Sequence, residues 1–525
     1  MPCPDARRVA RRSMPALAAL FLGAGSLGAQ ARSNYEELQT FSAVLNHIRI
    51  NYVDTVQYPQ LVRAAIDGVL RSLDPHSRFV PREDVERFAA LARGELGSVG
   101  LVLEDVDGAV TVLTVTPESP AAKKGIMAGD RLAAIDDTTL AGLEAKAIEL
   151  KLAGRKGSKV TLSLERGPRF EPQAYRVTLK RDQVQERAVP IVRMLDATTG
   201  YVWLAEFTGR APDDLGKALG RLRGEGAKQV ILDLRGNPGG QVNASVDIAS
   251  MFLPRNTLVF RTRGRKKDVD EDFVTTRNGQ FRDLPLIVLI DRRSASASEA
   301  LAGSLQDHDR ALLVGQRSFG KALVQAPFAL PAGDVVWLTI GRVLTPSGRF
   351  IQRRYSGLRT EQYYAFAGRS GAEADTATVF HTDAGREVRG GGGITPDVDL
   401  APPGPLPVWQ ALAADSGFDD AVSDSVAATI PQTDAARAEW LDARERWRSA
   451  LVDPFLERVR SRLGVAAVAD SGVVRRLARG MAARVAEVRW GPEVRDELLL
   501  QEDPVLATAR TLFPRLPALL ASPAK

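Results

Sequence analysis

LPLIVLIDRRSASASEALAGSLQDHDRALLVGQRSFGK, residues 284–321, reads as a strand, a helix and a second strand in immediate succession. Leu284 to Asp291 is apolar almost throughout and shows no polar alternation, the pattern of a strand covered on both faces. Ser296 to His308 has helical spacing, and Ala311 to Gly315 returns to β-forming residues. The succession predicts a parallel α/β layer, in which functional loops gather at strand ends. Ser294, Ser296 and Ser298 occupy the junction from strand to helix. A hydroxyl there lies among free N–H groups at the positive end of the helix dipole, where a developing oxyanion is stabilised. A plain helix cap is the other use of the same residues.

A serine nucleophile requires a base. His308 is twelve residues beyond Ser296. On a continuous helix it would lie roughly 18 Å down the axis and about 120° around, out of reach. His47 and His76 fall in the N-terminal region and His381 in a polar stretch, none in an expected site loop. Lysine is the alternative, because the strand Ala311 to Gly315 and the loop Gln316 to Gly320 return Lys321 to the mouth of the sheet. Its neighbours Phe319, Gly320, Ala322 and Leu323 are uncharged and suit a desolvated amine, which must fall from a pKa of about 10.4 to act as a base. A solvated loop lysine is the competing reading. In an extended segment Lys321, Leu323 and Gln325 share a face, so Gln325 can bond and orient the amine. The same stretch also fits G-x-x-x-x-G-K at 315–321, but Ala322 stands where a phosphate loop needs Ser or Thr for magnesium. The extended pattern through Pro327 denies such a loop its helix, which argues against nucleotide binding.

Upstream the strand and helix alternation continues. Tyr201 to Glu206 and Gln229 to Leu234 read as strands, Asp213 to Leu222 and Val242 to Phe252 as helices, and the second strand ends in Arg235-Gly-Asn-Pro-Gly-Gly240. Further back, β-rich segments Val99 to Leu103, Val110 to Val115, Arg131 to Ile135 and Val160 to Leu164 predict a small module over 97–182 with one helix at Leu143 to Leu152. Residues 34–93 read as helices, with Phe41, Val44, Leu45 and Ile48 in one register and a stop at Asp74-Pro75. Residues 353–393 form a polar insertion. From about 404 the chain is Ala- and Arg-rich and helical, with Trp440, Trp447, Leu451 and Phe455 on one face and Thr433 or Asp434 as a cap.

The chain has 525 residues, 44% hydrophobic and 26% charged, with a net charge of +6 and a single cysteine, Cys3. One cysteine excludes an intrachain disulfide and any site built from several thiolates. Half of the charge lies in residues 1–31, where Arg7, Arg8, Arg11 and Arg12 oppose Asp5 ahead of the apolar run Met14 to Leu22 and the site Ala29-Gln30-Ala31. That order reads as a secretory signal peptide, with Arg11-Arg12 leaving a twin-arginine route open. Gly23, Gly25 and Gly28 break the apolar segment below the roughly 20 residues a membrane span needs. Without it the chain is nearly neutral and has no thiol, so charge offers no case for a nucleic-acid partner.

Ser294-Ala-Ser-Ala-Ser-Glu299, Leu305-Gln-Asp307, Ser318-Phe-Gly-Lys321 and Val324-Gln325 resemble the carboxyl-terminal processing peptidases, or tail-specific proteases. The likeness extends to Leu73-Asp-Pro-His-Ser77, Ser119-Pro-Ala-Ala122, Asp233-Leu-Arg-Gly-Asn-Pro-Gly-Gly240, Thr345-Pro-Ser-Gly-Arg349 and Gly393-Ile-Thr-Pro-Asp397. The resemblance implies an α/β multidomain protein: signal peptide 1–31, N-terminal helical region 32–95, PDZ domain 96–182, serine protease core of the crotonase/ClpP-like type 183–403, and helical C-terminal extension 404–525. It makes Ser296 the nucleophile, Lys321 the base twenty-five positions on and Gln325 its orienting partner. It assigns the oxyanion hole to the N–H groups of Ala297 and, of the two loop glycines, Gly239, and it leaves Asp307 as a structural support. Ser98, Val99, Gly100 and Leu101 would receive a peptide carboxylate, the peptide adding as a strand.

The expected function is an exported, periplasmic or otherwise extracytoplasmic serine endopeptidase that takes proteins with apolar C-terminal ends and needs no metal or organic cofactor. A homo-oligomer or an envelope adaptor stays open. A PDZ-based scaffold with a silent core is the rival, opposed by the intact Ser296, Lys321 and Gln325. Ser318 and Ala322 depart from the family's usual Thr and Gly, which predicts a less free loop beside Lys321.

Overall fold

The computed structural model describes residues 34–521 except 93–95, 107–108, 117–118, 128, 141–147, 149–150, 167–171, 183, 185–187, 357–362, 364–377, 401–417, 443 and 465–470. The signal peptide, most of the helix expected at 143–152 and much of the 353–393 insertion lie outside the described residues. The chain divides into two compact units between Ser72 and Leu73.

The first unit is helical, with α1 (Asn34–Asn51) followed by α2, which runs Tyr58–Leu73 and ends at the expected stop. Of the register read for α1, Leu45 is buried whereas Phe41 and Val44 are exposed.

The second unit begins with β1 (Arg78–Val80) and α3 (Arg82–Ala92). The β-rich module follows as β2 (Leu101–Val106), β3 (Ala109–Val115), β4 (Arg131–Ile135), β5 (Thr138–Thr139), β6 (Lys159–Arg166) and β7 (Gln173–Lys180). Its sheet order is β2-β3-β4-β6-β7, with β5 on β4, so β2 is an edge strand. Val99, Leu101, Val112, Leu162 and Leu179 are among the apolar residues of its core.

The α/β core contains β8 (Ile191–Met194), β9 (Thr199–Trp203), α4 (Ala211–Gly224), β10 (Gln229–Asp233), α5 (Val242–Phe252), β11 (Leu258–Gly264), β12 (Glu271–Val274), β13 (Leu286–Ile290), α6 (Ala297–Asp307), β14 (Leu312–Gly315), β15 (Leu323–Ala329), β16 (Val335–Leu344), the hairpin β17 (Val379–His381) and β18 (Glu387–Arg389), and β19 (Val398–Asp399). Strands β19-β14-β13-β10-β9-β8 form one sheet, parallel except for β8. Alternate residues of each strand face opposite layers. Val230, Leu232, Val288 and Ile290 pack with α4, α5 and α6, whereas Ile231, Ile287, Leu289 and Val314 pack with the C-terminal residues Leu506, Leu512 and Phe513. Two-sided cover explains why Leu284 to Asp291 shows no polar alternation. A second, antiparallel sheet orders β1-β16-β11-β12 with β15 on β16.

The C-terminal region comprises α7 (Phe418–Thr429), α8 (Asp434–Asp442), α9 (Asp453–Leu463), α10 (Ser471–Trp490), α11 (Pro492–Gln501), α12 (Pro504–Leu512) and α13 (Leu516–Ala521). Trp440, Trp447, Leu451 and Phe455 are buried together, and Thr433 Oγ1 accepts the Ala436 N–H at 3.2 Å as the cap. The extension is not a separate bundle throughout. Helices α12 and α13 cover the open face of the core sheet, and Asp503, which caps α12, pairs with Arg235 at 2.7 Å. Apolar spacing in the tail reveals helices but not the surface they meet. No helix among the described residues is long and apolar enough to cross a membrane.

Candidate active site

The loops after β10 and β13 are laced together by the residues around Ser296. Ser294 Oγ donates to the Leu234 carbonyl at 2.8 Å, Ala295 N–H to the Asn237 carbonyl at 3.0 Å, and Ser298 Oγ to the same Asn237 carbonyl at 3.0 Å. The outer serines therefore hold the turn, and the middle one opens onto a cavity of about 350 Å³. Ser296 has φ 59° and ψ −113°, a region costly for a residue with a side chain, by roughly 1–3 kcal/mol. The lacing on both sides maintains it.

Gly239 explains why the loop is glycine-rich at that point. Its φ is 103°, and a Cβ there would stand 2.8 Å from Ser296 Cβ and 2.7 Å from the Ala295 carbonyl oxygen. Its N–H, however, donates to Asn237 Oδ1 at 2.9 Å, while Asn237 Nδ2 donates to the Leu204 carbonyl at 2.8 Å. The donor expected from the sequence is thus already engaged. Gly240 lines the cavity beside Ser296 and Ala297. The sequence offers two adjacent glycines without showing which N–H a neighbouring side chain occupies.

Lys321, Gln325, Ser296 and Ala297 line the same cavity, with Phe260, Phe273, Val343 and Ile351 among its apolar walls. Phe260 and Phe273 stack with centroids 4.3 Å apart. Burial lowers the Lys321 amine below the ordinary lysine value, and the Arg78 cation lowers it further against the opposing charge of Glu299. Gln325 does not form the expected bond to the lysine. Its amide donates to Thr339 Oγ1 at 3.3 Å, and the pairing of β15 with β16 shifts register between Val324 and Gln325, breaking the plain alternation assumed from the sequence.

Asp307 lies at the far end of α6. It accepts from Ser347 N–H at 2.9 Å and Ser347 Oγ at 2.7 Å and pairs with the fully buried Arg349.

The departures at 318 and 322 are accommodated. Ser318 Oγ donates to Glu299 Oε1 at 2.5 Å and accepts from Ile394 N–H at 2.6 Å, so a hydroxyl suffices there. Ala322 is not among the residues with positive φ, and its N–H donates to Gln352 Oε1 at 2.8 Å. Glycine's conformational freedom is not required at 322.

Two site residues were missed in the sequence. Glu299 is 1% exposed and accepts from Ser296 N–H at 2.9 Å, Lys321 N–H at 2.8 Å, Gly320 N–H at 2.6 Å and Ser318 Oγ. Burial pushes its carboxyl up to about 7 despite these bonds. The spacing Ser296-x-x-Glu299, a capping-box signature, was its signal. His76 follows an Asp74 turn, in which Oδ1 accepts from the His76 and Ser77 N–H groups at 2.8 Å each. Its ring meets Tyr363 at 3.2 Å, and burial with the nearby cations of Lys321 and Arg78 lowers it to about 4. It is neutral at neutral pH. Only the pairing of β1 with β16 brings it to the site.

In the β-rich module Val99 and Leu101 bury their side chains, Gly100 has φ 81°, and a Cβ there would stand 2.2 Å from Ser119 Cβ. Ser98 Oγ accepts from Gly100 N–H at 3.2 Å, and Ser98 bridges to Asp182. Edge strand β2 continues directly from this loop.

Residues 198–363 match peptidase family S41, and residues 97–171 match a PDZ domain. A carboxy-terminal-processing protease of Bartonella bacilliformis is 32% identical over 325 residues, spanning 61% of this chain and 74% of that protein. A carboxyl-terminal-processing protease of Picosynechococcus sp. is 37% identical over 283 residues, covering 52% and 66%, and one of Synechocystis sp. is 34% identical over 298 residues, covering 55% and 68%. A solved photosystem II D1 C-terminal processing protease is 27% identical with a TM-score of 0.44, covering 71% of this chain and 90% of its own. Fold and matches together define a serine-type peptidase that carries a PDZ domain. The chain belongs to the carboxyl-terminal-processing protease family.

Proposed function

We propose that this protein is an exported endopeptidase that works through a Ser296/Lys321 dyad. The observation that carries the reading is the meeting, in one cavity, of a strained serine at a helix start with a lysine whose amine is held below its ordinary value by burial. Neutral Lys321 takes the Ser296 Oγ proton as the oxygen attacks the scissile carbonyl carbon. The tetrahedral oxyanion is held by the N–H of Ala297 at the start of α6 and by that of Gly240, since the Gly239 N–H is bonded to Asn237. The lysine ammonium returns its proton to the leaving amine as the carbon–nitrogen bond breaks, which leaves an acyl-serine. Water then attacks that ester, giving its proton to Lys321, and Ser296 regains a proton as it leaves. Gln325 lines the cavity from β15 with its amide on Thr339, and Asp307 holds the far end of α6 through Arg349.

Substrates are protein chains with apolar C-terminal ends, captured by addition to β2 beside Ser98, Val99, Gly100 and Leu101. The signal-like residues 1–31 support an extracytoplasmic location. The test is incubation of the purified protein with an unstructured protein, beside Ser296→Ala and Lys321→Ala. Cleavage by the wild type alone is expected. Equal cleavage by all three would refute the dyad, and no cleavage by any would favour the silent scaffold.

A further inference from the structure

Ser296 and Lys321 sit on segments twenty-five residues apart, and the chemistry proposed above requires a fixed distance between them. One backbone bond, from Phe319 N–H to the Ser294 carbonyl at 2.9 Å, ties the two segments, but it stops two residues short of each functional group. Glu299 closes that interval. Its Oε2 accepts from the N–H of Ser296 itself at 2.9 Å and from the N–H of Lys321 itself at 2.8 Å, so one oxygen joins the backbones of both residues. Its Oε1 takes Ser318 Oγ at 2.5 Å and Gly320 N–H at 2.6 Å, the hydroxyl and amide of the loop that delivers the lysine.

We propose that Glu299 is the positioning residue of the dyad, a buried carboxylate that sets the distance and angle between nucleophile and base without touching substrate. The proposal rests on the dyad reading above.

The residue type follows from the donor count. An ionised carboxylate accepts on two oxygens with about four lone-pair directions, and here four donors use them. A glutamine has one acceptor oxygen and an NH₂ group, so it would aim donors at two of the four donors it meets. An aspartate is shorter by one methylene and does not reach both segments. The side chain is 1% exposed, so water does not replace a lost bond. The same bond takes up the Ser296 N–H at the positive φ of that residue. A cap serving only the helix would need the Ser296 bond and none of the other three.

The test measures initial cleavage rates against substrate concentration for the wild type, Ser296→Ala, Glu299→Gln and Ser318→Ala, with circular-dichroism melts to give the folded fraction. Glu299→Gln is expected to lower kcat per folded molecule about 100-fold with KM changed less than about twofold, the loss typical of a misplacement near 1 Å. Wild-type kcat in folded Glu299→Gln would overturn the proposal, and so would a loss confined to KM or one that only tracks the folded fraction. If Glu299→Gln does not fold, Ser318→Ala decides, because it frees one bond on Oε1 and leaves both dyad bonds. A fall of several-fold in its kcat at constant KM supports positioning, and wild-type kcat overturns it. Activity retained in Ser296→Ala would refute the dyad instead, an outcome separate from these.

Discussion

Helix α6 has a buried carboxylate near each end, and the two are held in different ways. Asp307, in the last turn, faces a guanidinium. Arg349 is buried so completely that desolvation lowers it below the ordinary arginine range, yet the pair persists with Ser347 completing the set of donors around Asp307. Glu299, in the first turn, is ringed by three backbone N–H groups and one hydroxyl, and its carboxyl rises to about 7. The comparison teaches where charge is tolerated around a lysine base. A pair between the Glu299 carboxylate and Lys321 itself would hold the amine protonated, whereas with all four bonds going to neutral donors burial and Arg78 lower the amine against the remaining pull of the Glu299 charge. The far end has no such requirement and takes a full ion pair.

The largest effect should come from the dyad. Ser296→Ala or Lys321→Ala is expected to lower cleavage by about four orders of magnitude with the melting curve nearly unchanged, as read by initial rates and circular dichroism. Asp307→Ala should break the opposite end of the helix in the opposite sense. It leaves Arg349 buried without its carboxylate and should cost about 3–5 kcal/mol in a denaturant titration, with activity following the folded fraction.

The two ends also separate by pH. Glu299 has a folded value of about 7, above its ordinary value of 4.5, so its contribution to stability is fully present below 4.5 and is lost as pH rises through about 7. Denaturant midpoints of the wild type should fall across that window relative to Glu299→Gln, and parallel curves would contradict the assignment. Gly239→Ala puts a methyl 2.8 Å from Ser296 Cβ and forces strain at φ 103°, so kcat should fall roughly tenfold or more while Asp307 keeps its contacts.

The smallest shift concerns Arg78. In the proposed mechanism neutral Lys321 is the active form, so kcat/KM should rise with pH through the lowered lysine pKa. Arg78→Gln removes a cation that disfavours the ammonium, so this limb should move to higher pH, by less than about one unit. An unmoved limb would show that burial alone sets the amine.

Much of this arrangement is legible in local pattern. The apolar run at Leu284 to Asp291, the helix from Ser296 and the return strand at 312–315 follow from periodicity and β-branched content, and the twin apolar faces of β13 follow from its lack of alternation. The grouping of Trp440 on α8 with Trp447 beyond it and the Thr433 cap were equally local. Four features were not. Gln325 is displaced by a register shift that alternation cannot show, and the Gly239 N–H is taken by a side chain two residues away. Helices α12 and α13 belong to the sheet rather than to the bundle that precedes them. His76 comes near enough to feel the Lys321 charge because β1 pairs with β16.

By itself, then, the sequence determined the order of layers, the serine at a strand-to-helix junction and the lysine returning on the next loop, since these depend on spacing within tens of residues. Tertiary structure alone decided which hydroxyl of three opens onto the cavity, which glycine N–H is already bonded, and that one carboxylate joins Ser296 to Lys321. Those outcomes depend on which donors meet which acceptors in a dry interior. Such meetings are set by the packing of segments distant in sequence, where each buried donor must find a partner.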